Sequence, residues 1–268
     1  MRFDELIITD AHTHIFPPKI VEKAVGAIGE FYDIPMRHPG SPESLIESGK
    51  AIGVRKYLVC STATHPKQVE SINDFILESC REHREFLGFG TLHPGFGDIT
   101  GEVARVKELG LFGIKLHPDF QRFFIDDPAA FPIYEACDRA GLPILFHTGD
   151  DRYDWSSPAR MEAVARRFPG LTCIAAHFGG YNHWQDVERY RELPNVWFDT
   201  SSTLFKLSRE RALELLELLG TRRFMFGTDF PMWDHGEELE RFLSLGLSAE
   251  ERDDILYKNF QRLFGVEL

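Results

Sequence analysis

Residues 128–148 read PAAFPIYEACDRAGLPILFHT. Pro128–Ala140 patterns as an amphipathic helix that opens on a proline. Gly141-Leu142-Pro143 stops it. Pro143–Phe146 is a short apolar run of the kind that forms a strand covered on both faces, and His147 stands at its tip. The same motif recurs in both directions along the chain: a short apolar run, a polar or His-bearing tip, then a longer amphipathic segment. The runs are Leu6–Ala11, Lys56–Ser61, Phe86–Leu92, Leu111–Leu116, Pro143–Phe146, Leu171–Ala176, Val196–Phe198 and Arg223–Gly227. Helical patterns such as Ser157–Phe168 and Ser208–Leu219 lie between them. Eight strands alternating with helices predict an α/β fold with a parallel sheet. A count of eight favours a closed (β/α)8 TIM barrel over an open sheet.

The chain has 268 residues, the size of one barrel of ~250 residues, so 1–268 reads as a single domain. Two segments depart from the repeat. Residues 29–42 (GEFYDIPMRHPGSP) mix aromatics, Pro and Gly after the first strand and read as a lid loop over the C-terminal mouth. Residues 248–264 read as a capped terminal helix that closes the barrel. Lys plus Arg is 30 and Asp plus Glu is 42, a net charge of −12 that argues against nucleic-acid binding. A hydrophobic fraction of 43% excludes disorder. No apolar run reaches the ~18 residues that span a bilayer, and MRFDELIITDAHTH lacks the apolar core of a secretory signal. Cys60, Cys80, Cys137 and Cys173 form no CxxC pair and read as thiols of a reducing compartment. These features together predict a cytoplasmic enzyme with a small-molecule substrate.

The 11 histidines are concentrated at strand tips. The tips carry His12 and His14, His93, His117, His147, His177 and, on the eighth strand, Asp229. Side chains alternate along a strand, so His12 and His14 share a face, as do Lys115 and His117. In a barrel all C-terminal strand ends meet at one mouth. Ligands remote in sequence then come within the ~2.0–2.2 Å bonds of a divalent ion. His93 pairs with nothing and reads as a structural histidine. His38, His65, His83, His183 and His235 lie off the strand ends and are expected to face solvent or brace loops. Asp199 and Ser201–Thr203, after the seventh strand, complete the mouth, with Asp199 either orienting a ligand histidine or capping a turn. Aromatic residues on the loops after strands, Tyr153, Trp155 and Trp233 among them, suit a flat or unsaturated small molecule. His183 and Trp184 follow the sixth strand closely enough to line a pocket wall.

These motifs resemble the amidohydrolase superfamily. The resemblance rests on DAHTH at 10–14, His147, AHFGG at 176–180 and GTDFP at 227–231, and runs from Asp10 to about Gly265. It is closest to the branch of metal-dependent hydrolases that also includes aminocarboxymuconate semialdehyde decarboxylase-like enzymes. The resemblance implies that His12, His14, His147 and Asp229 bind one divalent ion, zinc first, with manganese or iron accepted by the same donors. It also implies that Asp229 shuttles a proton and that His177 assists catalysis or holds a second metal. Lys115 is open between carboxylation as a bridge to a second metal, holding a substrate carboxylate, and pairing with Asp10 or Asp229. His117 lies two residues nearer the mouth, which favours one metal over two and leaves His117 as a substrate or supporting group.

The leading expectation is hydrolysis: a metal-bound water attacks a C–O or C–N bond of a carboxylate, ester or lactone. The alternative is non-oxidative decarboxylation of an unsaturated or aromatic acid, for which Arg37, Lys115 and Arg152 are candidate carboxylate partners. A barrel deoxyribonuclease related to TatD ranks lower, because Lys115 and His117 stand where that family places a Glu. A silent, metal-stabilised binding barrel ranks lower still, because the ligand set is complete. Some decarboxylase relatives borrow an arginine from a partner subunit, so a homodimer is also expected.

Overall fold

A computed structural model describes residues 6–268. Its strands are β1 (Ile8–His14), β2 (Val54–Cys60), β3 (Phe86–Thr91), β4 (Gly113–Leu116), β5 (Ile144–Phe146), β6 (Cys173–Ala175), β7 (Val196–Asp199) and β8 (Phe224–Met225). They lie in one sheet in the order β1 to β8, and the pairs from β3 to β7 run parallel. β8 returns to β1. The Ala11 N–H donates to Phe226 O at 2.8 Å, Asp229 N–H to His12 O at 2.8 Å, and His14 N–H to Phe230 O at 2.7 Å. That return makes the sheet the (β/α)8 barrel that the strand count predicts.

The α-helices among the described residues are α1 (Val21–Tyr32), α2 (Pro42–Lys50), α3 (Val69–Glu82), α4 (Ile99–Glu108), α5 (Pro118–Gln121), α6 (Phe131–Ala140), α7 (Pro158–Arg167), α8 (Arg209–Leu219), α9 (His235–Leu243), α10 (Ala249–Asp253) and α11 (Asn259–Phe264). None is long and apolar enough to cross a membrane. Local chemistry sets their ends. Ser41 accepts from Ser44 N–H in a reciprocal capping box, with Pro42 following. α6 stops at Gly141 in the left-handed conformation, whose N–H reaches Asp138 O and Cys137 O.

The backbone packs densely within two units. One comprises residues 6–59, His83–Phe86 and Thr200–Leu268. Its core includes Ile8, Leu58, Phe224, Ile255, Leu256 and Phe260, all fully buried. The other comprises Cys60–Glu82 and Leu87–Asp199. Its core includes Phe89, Ile114, Ile133, Ile144, Phe146 and Ile174.

β1 runs through His14, as the shared strand face of His12 and His14 requires, and His14 still pairs with Phe230. Three sequence expectations need correction. β8 is shorter than Arg223–Gly227. Side chains intercept its backbone: Gly227 N–H donates to Thr200 Oγ1 at 3.2 Å and Thr228 N–H to Asp10 Oδ1 at 3.1 Å. The segment 29–42 is only partly a loop, since α1 takes in residues up to Tyr32 and α2 starts at Pro42. Its remainder is fastened to the loop after β8, where Arg37 and His38 both donate N–H groups to Pro231 O. The terminal helix is interrupted by a π-helical turn, Asp254–Lys258. The carbonyls of Ile255 and Leu256 there accept from Phe226 N–H and Thr9 Oγ1, each at 2.8 Å, which ties the turn to β8 and β1.

Candidate metal centre

His12, His14 and Asp229 converge in the first unit. His12 and His14 sit two residues apart on β1, and their Nε2 atoms lie 3.2 Å from each other. Asp229 Oδ1 is 3.2 Å from His14 Nε2 and 3.6 Å from His12 Nε2. An ion with bonds of ~2.0–2.2 Å in tetrahedral geometry spaces its donor atoms ~3.3–3.6 Å apart. The triangle therefore has the dimensions of one face of a coordination polyhedron, and these donors fit a divalent ion. His12 is fully buried. Binding at its Nε2 requires the proton on Nδ1, and Ser201 Oγ stands 3.1 Å from that nitrogen as acceptor.

Asp229 is aimed by its neighbours. Ser202 Oγ donates to Oδ2 at 2.6 Å, which turns Oδ1 toward the histidines. The Trp233 indole N–H donates in turn to Ser202 Oγ at 2.9 Å. Asp229 has a φ of 60° and Ser202 a φ of 46°, a left-handed backbone that is costly away from glycine.

His147 and His177 meet in the second unit. His147 Nδ1 lies 3.0 Å from His177 Nε2, and His147 Nε2 lies 2.9 Å from Gly149 O. A carbonyl can only accept, so Nε2 carries the proton and Nδ1 presents its lone pair toward His177. Gly149 serves this contact with a φ of +80° and a close approach to Tyr181, whose backbone N and O would lie 2.5 Å from an added Cβ. His177 starts a run of three left-handed residues, with φ of 61° here, 54° at Phe178 and 81° at Gly179. Three side chains pin the run. Asp199 Oδ1 accepts from His177 N–H at 3.1 Å, Trp184 Nε1–H donates to His177 O at 3.0 Å, and Tyr190 Oη–H donates to Gly179 O at 2.9 Å. Asp199 thus fastens the turn through its backbone.

His117 stacks between Phe120 and His147, with ring centroids 3.8 and 3.9 Å apart and planes 7° from parallel. Its Nδ1 accepts from Phe120 N–H at 3.3 Å, which places the proton of the neutral ring on Nε2. Beside it lies Asp119, a buried residue that the sequence reading missed. Asp119 Oδ2 accepts from Ser156 Oγ at 2.6 Å and is 3.8 Å from His147 Nε2, while its buried Oδ1 has no hydrogen-bond partner among the described residues. Burial pushes the Asp119 carboxyl up to about 7, against the pull of Ser156, with Asp150 adding to the rise. His117, Asp119 and His147 are close enough together to hold an ion. The only sequence signal for Asp119 is an acidic residue in the first turn of a helix, which ordinarily complements the helix dipole.

The remaining candidates separate. Lys115 is fully buried on β4, its carbonyl accepting from Thr91 Oγ1 at 3.1 Å. Arg152 forms a two-pronged pair with Asp150, at 2.8 and 2.6 Å, and its charge acts on Asp119. Arg37 lies out on the surface, paired with Glu237. Trp184 is largely buried and engages the His177 backbone, so it positions that turn. His93 is structural as expected, its Nδ1 accepting from Gly95 N–H at 3.0 Å. His235 is fully buried rather than solvent-facing, with Nδ1 2.8 Å from Ser48 Oγ and Nε2 3.1 Å from Asp10 Oδ2.

A family model for the amidohydrolases matches residues 9–266, and the chain belongs to that family. A 2-amino-3-carboxymuconate-6-semialdehyde decarboxylase of Dictyostelium discoideum is 26% identical over 203 residues. The match takes in 60% of this chain and 55% of that relative, so the chain spans little more than half of its length. An uncharacterised TIM-barrel protein of Bordetella bronchiseptica superposes with a TM-score of 0.77 at 18% identity, covering 97% of this chain and 99% of that one. A 5-carboxyvanillate decarboxylase of Novosphingobium aromaticivorans, solved with manganese and 4-hydroxy-3-methoxy-5-nitrobenzoic acid, superposes with a TM-score of 0.75 at 15% identity, covering 98% and 97%. At such identities the two superpositions establish the barrel.

Proposed function

We propose that the protein is a metal-dependent, non-oxidative decarboxylase of a small unsaturated or aromatic carboxylic acid. The observation that carries the metal half of this reading is the triangle of His12 Nε2, His14 Nε2 and Asp229 Oδ1. Decarboxylation is favoured over hydrolysis by the activity named for the D. discoideum relative. A divalent ion at these donors would supply a Lewis acid that polarises the substrate's oxygen groups.

The chain's own residues have the following roles in this reading. Arg152 and Lys115 offer positive charge to the substrate carboxylate. When the C–C bond breaks, its electron pair stays on the unsaturated carbon and carbon dioxide leaves. That carbon then needs a proton, which Asp229 delivers from its carboxyl and regains from solvent. Ser202 holds the far oxygen of Asp229, so the carboxyl keeps one orientation through the transfer. His177, pinned in its strained turn, orients the substrate beside His147.

Turnover of a panel of hydroxylated aromatic acids and enoic acids by the manganese- or zinc-loaded protein in 18O-water tests the reading. A decarboxylase releases carbon dioxide and leaves a product without 18O, with solvent hydrogen on the carbon that lost the carboxylate. Uptake of 18O into a new carboxylate without carbon dioxide release overturns decarboxylation in favour of hydrolysis.

A further inference from the structure

We propose that Asp10 is a positioning residue of the metal centre. Its carboxylate fastens β1 to the end of β8 and so sets the spacing between the His12–His14 pair and Asp229. The proposal rests on the reading of those three residues as metal ligands.

Asp10 is fully buried. One oxygen, Oδ1, accepts two backbone N–H groups, from His12 at 3.0 Å and from Thr228 at 3.1 Å. The other, Oδ2, accepts from Thr228 Oγ1 at 2.5 Å and faces His235 Nε2 at 3.1 Å. A buried carboxylate is costly unless its lone pairs are met, and these are met by His12 of β1 and by Thr228, in the segment that follows β8. His12 is itself a proposed ligand, and Thr228 immediately precedes another, Asp229. A single side chain therefore grips the backbone on both sides of the site.

The clamp sits where the ladder is irregular. β8 loses regular pairing after Met225, and Asp229 must take up a φ of 60° to present its carboxylate. The bonds from Ala11 N–H to Phe226 O and from Asp229 N–H to His12 O flank the clamp on either side. Thr228 Oγ1 further accepts from Phe230 N–H at 3.1 Å, which extends the grip past Asp229. His235, the first residue of α9, stands beside the clamp, its Nε2 close to Asp10 Oδ2 without a hydrogen bond among the described residues and its Nδ1 2.8 Å from Ser48 Oγ of α2. Donor positions at a metal site must hold to within ~0.5 Å, and the clamp supplies that tolerance at the junction of two strands.

Cobalt(II) binding to the purified full-length protein tests the proposal. Affinity is read by competition with a chromophoric chelator, geometry by the visible absorption of the bound ion, and folding by circular dichroism. Thr228→Val removes the hydroxyl but keeps the shape, and it is expected to weaken cobalt binding by about 10–100-fold and alter the visible band. Thr228→Ser restores the hydroxyl and is expected to stay within about threefold of wild type with an unchanged band. Asp10→Asn should behave like Thr228→Val. If Asp10→Asn does not fold, the Thr228 pair decides. Folded Thr228→Val that binds cobalt as wild type does, or Thr228→Ser that loses as much as Thr228→Val, overturns the clamp. Wild-type protein that takes up no cobalt overturns the metal centre and the clamp with it.

Discussion

Ser202 Oγ lies 2.6 Å from Asp229 Oδ2, and this bond turns the opposite carboxylate oxygen toward His12 and His14. Trp233 donates to the same hydroxyl. Ser202→Ala removes the donor that holds Asp229 in place. Metal affinity should fall by about 10–100-fold. Trp233→Phe keeps the serine and should cost less. Metal titration of the two variants beside wild type checks the order.

His14→Ala and Asp229→Asn should each lower the metal content of the purified protein below that of wild type while leaving the fold intact. His93→Ala should keep wild-type metal content, because its ring braces a turn through Gly95 N–H. Elemental analysis together with circular dichroism separates the two groups. Full metal occupancy in both ligand variants would show the assignment to be wrong.

The left-handed run from His177 to Gly179 depends on side-chain bonds to its carbonyls. Trp184→Phe and Tyr190→Phe each delete one such bond, worth about 1 kcal/mol in stability. The two variants should differ in catalysis. Trp184 holds His177 itself, so Trp184→Phe should lower kcat, whereas Tyr190→Phe, two residues further on at Gly179, should lower Tm with a smaller effect on kcat. Steady-state kinetics beside thermal unfolding checks this split.

Arg152 and Arg37 divide the role proposed for a carboxylate-binding cation. Arg152 acts on Asp119, whereas Arg37 is on the surface with Glu237. Arg152→Gln should raise KM for an acid substrate by about tenfold or more, the worth of a charge-assisted hydrogen bond. Arg37→Gln should leave KM near the wild-type value. KM values of the two variants on the same acid provide the measurement.

Stability should fall as pH rises from about 4.5 to 7. Burial pushes the Glu238 carboxyl up to about 7, with Asp229 and Asp10 adding to the rise and Arg241 opposing it. The unfolded chain releases this proton near 4.5 and the folded chain only near 7. Between those values the folded state binds more protons, so its advantage shrinks with each step upward. Asp119 contributes with the same sign. Glu238→Gln removes one titrating group and should flatten the decline in Tm across pH 5–8. Thermal unfolding of metal-free protein across that range checks it.

The fold was legible because it rests on local pattern. Each strand is a short apolar run covered on both faces, and glycine or proline ends the helices between them, as Gly141 does for α6. His12, His14 and Asp229 were legible for a related reason. The two-residue period of a strand puts both histidines on one face, and Asp229 stands at the tip of the strand that closes onto theirs. Trp184 follows the sixth strand closely enough to line a pocket wall, and only the fold shows its indole N–H engaged with a backbone carbonyl seven residues away. Arg37 was read as a carboxylate partner, but Glu237, remote in sequence, lies beside it. Neither contact leaves a trace in composition or spacing.

The sequence by itself determined the barrel, its family and the residue types able to hold a metal, because alternation and strand-tip placement are properties of neighbouring residues. Tertiary structure alone decided how those residues are aimed. Asp10 reaches Thr228 across 218 positions of chain, Ser202 selects which oxygen of Asp229 faces the histidines, and burial sets the proton affinity of Asp119. Hydrogen-bond direction and desolvation depend on which distant groups come within about 3 Å, and only the folded chain brings them there.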